Sequence, residues 1–436
     1  MPRLQAGAAS SLITPPVGVD LCGFAGRPAP SEGVHDDLFA KALYLASDDC
    51  QVVLITADLI GLSADDVAAI RQIIHRETGI PPDAVMVTCS HTHSGPATHC
   101  IRYLGDWDEA YLAVLIRKIA GTAVMAVQRS QPATLGWGRE RVCIHVNRRE
   151  KTPGGLRIGV NPEGMTLPWV DVLAVDSFSG QPLARWFSHA AHAVTLGAEN
   201  TLISADWPGF AQRSIEGAAP GATALFAQGC CGDLNPNPRG SFEVAERQGW
   251  IIAGAAIKGA ALAERSGDVA IEYASTTVRL PLQDPPAPSV VREQLEQAQR
   301  QFEEEGRKAG YQMRKTLAGY VEWTEQLLDL ALRGATSLHI DFEIQAIRIG
   351  DRAIVGLPGE VFSEYAVSIA QLSTFPTVVV AYTNGNFGYI PTAHAFAEGG
   401  YEVEWAHRFY LPLPLASECE QIILAGARDL LSSMVG

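Results

Sequence analysis

Apolar positions along the chain follow two rhythms that alternate for much of its length. Short unbroken apolar runs at 51–57 and 84–89 read as buried strands, and the segments at 64–78 and 109–129 carry apolar residues at three- and four-residue intervals, as helices do. The same grammar continues with strands predicted at 134–146, 170–176, 184–187, 222–227, 269–281, 340–355 and 377–382, and helices at 242–264, 290–333, 361–372 and 417–434. Strands and helices in alternation predict an α/β fold: one large catalytic domain over 1–436, with mixed β-sheets flanked by helices. Within 290–333 the stretch 294–314 is rich in Gln, Glu and Arg and poor in apolar residues, which predicts a solvated helical arm or hairpin inserted at about 288–334. The three prolines in 283–288 offer a hinge before it.

Composition narrows the function. With 33 Lys and Arg against 48 Asp and Glu, the formal charge is −15, so the concentrated basic face that nucleic acid requires is not expected. Hydrophobic residues make up 47% and charged residues 19%, the balance of a folded globular chain. The first residues lack the apolar core of a secretory signal, and no run reaches about 18 apolar residues, so a cytoplasmic protein without a transmembrane segment is expected. The eight cysteines form no CxxC pair, which predicts free, buried thiols. No P-loop, GxSxG or HExxH occurs, and no solenoid or propeller repeat is evident.

Four segments carry candidate chemistry. In Thr88-Cys89-Ser90-His91-Thr92-His93, the two histidines follow a strand and share a face in extended backbone, where they could bind a divalent metal or divide ligation and proton transfer. Two hydrogen-bonded loop histidines would give the same pattern. His189 and His192 follow another predicted strand, and either could complete a metal site; Asp206 after them reads as a helix cap or a metal-linked acid. Glu360, after a Leu-Pro-Gly turn, reads as a first-turn glutamate favoured by a helix N-terminus, or as the anionic ligand of a zinc site. Tyr389 and Tyr401 stand twelve positions apart in a long Gly- and Asn-rich loop, where packing or chemistry are both open to a phenol.

In order and spacing, these motifs resemble the catalytic domain of the neutral/alkaline (non-lysosomal) ceramidase family. Further matches are the Ile-Thr-Pro-Pro near Ile13, the stretch 33–42, Thr56-Ala57-Asp58, Asn147-Arg148 and Gly232-Asp233-Leu234-Asn235-Pro236. The resemblance implies a zinc-dependent amidohydrolase that cleaves the N-acyl amide of a small molecule, lipids among them, with the metal on converging loops. His91, His192, Glu360 and Tyr389 match its metal ligands, and His192 matches better than His189 by its distance from Gly197, Asn200 and Asp206. His93, Arg148 and Tyr401 match the residues around the scissile amide. Such chemistry is coherent, because bound Zn²⁺ lowers the pKa of its water to about 7 and polarises a carbonyl, which removes the need for a serine triad. His93 and Tyr401 would serve the oxyanion and the leaving amine, and Arg148 would clamp a polar group.

The chain departs from the family pattern at Asn235, where the family has a serine, so that position cannot supply a hydroxyl nucleophile. The family's C-terminal β-sandwich has no counterpart in 1–436. Asp58 and Asp233 are candidates for a second metal or for bracing loops. Hydrolysis of another bond (ester, lactam or phosphoester) and a non-catalytic small-molecule receptor are the alternative functions.

Overall fold

The computed structural model describes residues 4–48 and 50–434. Its larger sheet has eight strands in the order Thr223–Gln228, Pro182–His189, Trp169–Ser177, Gln131–Arg141, Gln5–Leu12, Phe39–Ser47, Cys50–Ala57 and Val85–Cys89. A second sheet of four is ordered Ile271–Pro281, His339–Ile349, Arg352–Gly356 and Thr377–Val380. Within these two sheets three neighbouring pairs run parallel: Cys50–Ala57 with Val85–Cys89, Pro182–His189 with Thr223–Gln228, and Arg352–Gly356 with Thr377–Val380.

These parallel pairs fix where the site lies. Isolated bridges join Thr88 to Thr383 and Gly229 to Val380, so the ends of strands from both sheets are stitched together at their carboxyl edges. Ligand sites in α/β folds collect at such edges. Apolar side chains from both sheets, among them Ile55, Val87, Trp186, Leu225, Ile347 and Val355, fill one core beneath that point. Helices Asp206–Ala218 and Phe242–Leu262 cover the far face with a second cluster built on Trp207, Phe226 and Ile252.

Several expected elements differ from the observed ones for local reasons. The predicted run 134–146 is two strands in two sheets, Gln131–Arg141 and His145–Thr152, divided at residues 142–144. The run 340–355 is a hairpin, turned at Gly350 with φ +65°. Strand Gln5–Leu12, not expected, is made of small residues because helix Glu109–Gln128 presses on it: a Cβ at Gly7 would stand 2.2 Å from the Ala126 carbonyl oxygen. That helix is long and apolar enough to cross a membrane by length and composition alone. It nevertheless buries Leu112, Leu115, Ile119 and Ala123 in the core and carries Arg117 and Lys118 midway along. The thiols are free, with Cys143 exposed and Cys50 partly so.

The insertion is a helical hairpin, Pro288–Glu305 and Tyr311–Leu332. The first helix is solvated and buries only Val291, whereas the second buries Leu317, Trp323 and Leu327. It is tied to the body by Lys315 Nζ on Asp20 Oδ2 (2.6 Å) and by Trp323 Nε1 on the Leu411 carbonyl (3.1 Å).

Candidate metal centre and surrounding polar site

His91 sits just beyond strand Val85–Cys89 in a left-handed conformation, φ +61°. A non-glycine residue there is held against a cost of order 1–3 kcal/mol, which the surroundings must impose. They do so through two hydrogen bonds: its N–H donates to the Leu59 carbonyl (2.9 Å) and its Nδ1 to the Ile60 carbonyl (2.7 Å). The Tyr382 ring stacks on the imidazole at 4.2 Å. His192 is oriented in the same way, with Nδ1 donating to the Cys231 carbonyl at 2.6 Å. Since a carbonyl oxygen only accepts, each Nδ1 bears a proton, which leaves Nε2 as the ligand atom of the neutral ring. Burial lowers the pKa of His192 to about 4, with the charge of Arg148 acting in the same direction, so this imidazole is neutral at ordinary pH.

Glu360 is not a first-turn helix residue: it lies in the two-residue strand Glu360–Val361, and the helix that follows starts at Ser363. That strand pairs in parallel with Tyr389–Ile390 in the register Glu360 to Tyr389, which sets the two side by side. Gly232 makes this possible, because a Cβ there would stand 2.3 Å from the Glu360 carbonyl oxygen. Burial alone would raise the Glu360 carboxyl pKa, but His91 and His192 beside it outweigh that and hold it well below the ordinary range.

The donor atoms converge. His192 Nε2 lies 3.2 Å and His91 Nε2 3.4 Å from Glu360 Oε2, and His93 Nε2 lies 3.1 Å from His91 Nε2. The nitrogens of His91, His93 and His192 are all within 4.8 Å of one another. Glu360 Oε2 thus faces two imidazole nitrogens in a pocket where all three side chains are 1% exposed. Three of these pairs stand 3.1–3.4 Å apart and the histidine nitrogens as a group span up to 4.8 Å, a grouping of N and O donors that a single divalent cation could draw together.

The remaining residues form a chain of contacts outward from this cluster. Arg148 Nη1 is 3.3 Å from His192 Nε2 and 3.3 Å from Asn235 Oδ1, and its guanidinium lies 5.2 Å over the Tyr389 ring. Tyr389 and Tyr401 meet edge to face at 5.8 Å. The seven residues matched to the family's metal ligands and amide-facing groups (His91, His93, Arg148, His192, Glu360, Tyr389 and Tyr401) are thereby linked. His93 stands closer to the donor cluster than a residue that only faces substrate, and it is also competent as a ligand. Its ring packs on Phe24 at 4.9 Å, and a Cβ at Gly23 would stand 2.2 Å from its Nδ1. Burial raises the phenols of Tyr389 and Tyr401 above their usual range.

Other candidates lie outside the cluster. His189 accepts at Nε2 from His145 Nδ1 (3.2 Å) and donates from Nδ1 to the Trp169 carbonyl (2.8 Å), while His145 Nε2 takes the Leu167 N–H (3.2 Å). Both of its nitrogens are thus used in the fold. Asp206 binds the backbone N–H groups of Thr195, Leu196 and Trp207, bracing the loop behind His192. Asp58 accepts from Phe39 N and Gln212 Nε2, and Asp233 from Ser363 and Asn147.

Sequence reasoning missed three contributors. Tyr410 donates its hydroxyl to Glu360 Oε1. Glu402 accepts from Arg148 Nε at 2.9 Å, and Tyr382 stacks on His91. Nothing in the spacing marks Tyr410 or Tyr382, whereas Glu402 is signalled only by lying next to Tyr401.

Comparison with known proteins places these features in a group. The sequence model for "Neutral/alkaline non-lysosomal ceramidase, N-terminal" matches residues 4–250. Neutral ceramidase A of Dictyostelium discoideum is 26% identical over 232 residues, covering 46% of this chain and 29% of that protein. Neutral ceramidase B of the same organism is 25% identical over 250 residues, covering 51% and 34% respectively. The aligned stretch therefore spans about a third of those relatives. The crystal structure of neutral ceramidase from Pseudomonas aeruginosa superposes with a TM-score of 0.74 at 19% identity, over 99% of this chain and 75% of that one. A ceramidase complexed with C2 gives 0.76 at 17% identity, over 100% and 75%. These superpositions establish the shared mixed α/β fold.

Proposed function

Because this chain belongs to the neutral/alkaline non-lysosomal ceramidase family, we propose that it is a metal-dependent hydrolase of N-acyl amide bonds, with Zn²⁺ held by His91, His192, Glu360 and Tyr389. The observation that carries the reading is the approach of His91 Nε2 and His192 Nε2 to Glu360 Oε2, at 3.4 and 3.2 Å, in a buried site. The substrate proposed is an N-acylated small molecule of lipid type; two curated relatives and two structural neighbours bear the name ceramidase, and one of the neighbours is complexed with C2.

When bound, the cation supplies Lewis-acid polarisation of the acyl carbonyl and an activated water. The protein's own groups account for the rest. Ile60 and Cys231 carbonyls hold His91 and His192 in the tautomer that presents Nε2. Tyr401 keeps its proton because burial raises its pKa, so it can donate to oxygen charge that develops as the carbonyl carbon becomes tetrahedral. Arg148, fixed by Glu402 and Asn235, orients a polar substrate group. His93, neutral because burial and the neighbouring His91 lower its pKa, can take a proton and return it to the leaving amine. Asn235 tethers Arg148 and bears no hydroxyl, so no acyl-serine step passes through that position.

The test is turnover of a panel of N-acyl amines, esters, lactams and phosphoesters by zinc-loaded protein, with products identified by mass spectrometry. Release of a free acid and an amine from the amides supports the proposal. Turnover of phosphoesters alone, or binding of acylated ligands without turnover of any of them, refutes it.

A further inference from the structure

Two arginines adjacent in sequence, Arg148 and Arg149, grip one buried carboxylate. Consecutive residues of a regular strand point to opposite faces, so this arrangement needs a break in the pleat. It is present: the pairing of strand His145–Thr152 with Gly155–Asn161 shifts register between Asn147 and Arg149, and the Arg148 N–H turns aside to the Asp233 carbonyl (2.8 Å). Such bulges re-aim side chains beside functional sites. As a result Arg148 Nε donates to Glu402 Oε1 (2.9 Å) and Arg149 Nη1 to Glu402 Oε2 (2.8 Å), with all three side chains at most 8% exposed.

Arg149 does more than share that carboxylate. Its Nη2 donates to the Gly399 carbonyl (2.9 Å) and reaches Glu398 Oε2 (3.4 Å), while the guanidinium lies 5.3 Å over the Phe362 ring. One planar group thereby holds both sides of the turn Gly399-Gly400. The two glycines have φ +74° and +98°, conformations in which a side chain would be strained, and a Cβ at Gly400 would stand 3.2 Å from Leu156 Cβ. The residue that leaves this turn is Tyr401, first in the four-residue helix Tyr401–Glu404 and edge to face with Tyr389. So short a helix has little stability of its own. Its place depends on the groups that tie it down.

We propose that Arg149 is a positioning residue: by stapling Glu402, Gly399 and Glu398 around the Gly399-Gly400 turn, it delivers the Tyr401 phenol to the reacting centre. This rests on the proposed amide hydrolysis for its consequence in turnover, but the staple is testable without substrate. In the 436-residue chain, Arg149→Gln should speed amide hydrogen exchange across residues 398–405 by about ten- to a hundredfold, the range set by losing a charge-assisted bond. Exchange in the strand Val85–Cys89 should not change. The zinc content of this variant should equal that of the wild type, and kcat on an N-acyl amide should fall about tenfold or more, with KM within about twofold. Arg149→Lys keeps the charge but cannot span Glu402 and Gly399 together, so it should lie between the two and also serves if the glutamine variant does not fold. Lys151→Gln, which removes only the exposed partner of Glu398, should match the wild type.

Unchanged exchange at 398–405 in both Arg149 variants overturns the proposal, as does loss of zinc with exchange unaltered. If the wild type hydrolyses no acyl amide, the proposed function fails, and the exchange comparison still decides whether Arg149 holds the turn.

Discussion

Tyr410→Phe isolates one bond to the carboxylate on which the metal proposal depends. The phenol donates to Glu360 Oε1, and Glu360 is 1% exposed, so no solvent stands ready to replace the lost donor. Phenylalanine retains the ring that packs against Gly388, where a Cβ would stand 2.7 Å from Tyr410 Cδ2, and so removes the hydroxyl with little change in shape. A hydrogen bond to a charged group contributes about 1.5–3 kcal/mol. Through a ligating carboxylate this translates into a metal affinity lower by about 10–100-fold, since each factor of ten is about 1.4 kcal/mol. The assay is competition for Zn²⁺ against a chromophoric chelator at fixed pH, with circular dichroism as a check on folding. An affinity equal to that of the wild type in a folded variant would refute the reasoning, because it would mean that the Oε1 contact does not govern how Glu360 presents Oε2.

Other expected outcomes separate neighbouring residues by role. His192→Ala should lose zinc retention by roughly 10²–10³-fold, one donor's share of the 10–16 kcal/mol typical of four-ligand zinc sites, whereas His189→Gln should retain the metal; chelator competition on both variants reads the contrast. Tyr401→Phe should keep zinc and lower kcat by about 10²–10³-fold, the cost of one oxyanion donor, measured by steady-state hydrolysis of an N-acyl amide. His189 also gives a pH signature: burial lowers its pKa to about 4 in the folded state, against about 6.5 unfolded. The unfolded chain therefore binds the extra proton between those values, so the stability this group provides is complete above pH 6.5 and is lost as pH falls towards 4. The advantage of the wild type over His189→Gln in urea unfolding should shrink by about 3 kcal/mol from pH 7 to pH 4. A constant difference would show that His189 is not held neutral.

How much of this was legible in the sequence depended on whether the signal was local. Helix Ala64–Thr78 is visible because its apolar spacing is clean and Ser63 and Asp66 close a capping box before it. Strand Phe39–Ser47 is not: buried on nearly all sides and rich in Ala, it shows no alternation to distinguish it from a helix. The segment 290–333 reads as a solvated helical arm or hairpin, and only the break at residues 306–310 and the tertiary anchors at Asp20 and Leu411 show that its second half joins the core. At the site, His91, His192 and Glu360 stand out because they close strand-like runs beside Pro, Gly and polar turn residues. Tyr410 and Arg149 do not, since each acquires meaning only from a partner far away in the chain, Glu360 and Glu402 respectively. Asp206 had two readings in the sequence, a helix cap or a metal-linked acid; it is instead the first residue of its helix, after Ala205 at the cap, and its carboxylate gathers three backbone N–H groups as a loop brace.

The most direct test of the central claim is anomalous diffraction at the zinc edge from crystals grown with stoichiometric Zn²⁺. The account predicts one strong peak about 2 Å from His91 Nε2, His192 Nε2 and Glu360 Oε2. It is contradicted by a peak elsewhere, or by no peak in protein that cleaves N-acyl amides at full rate.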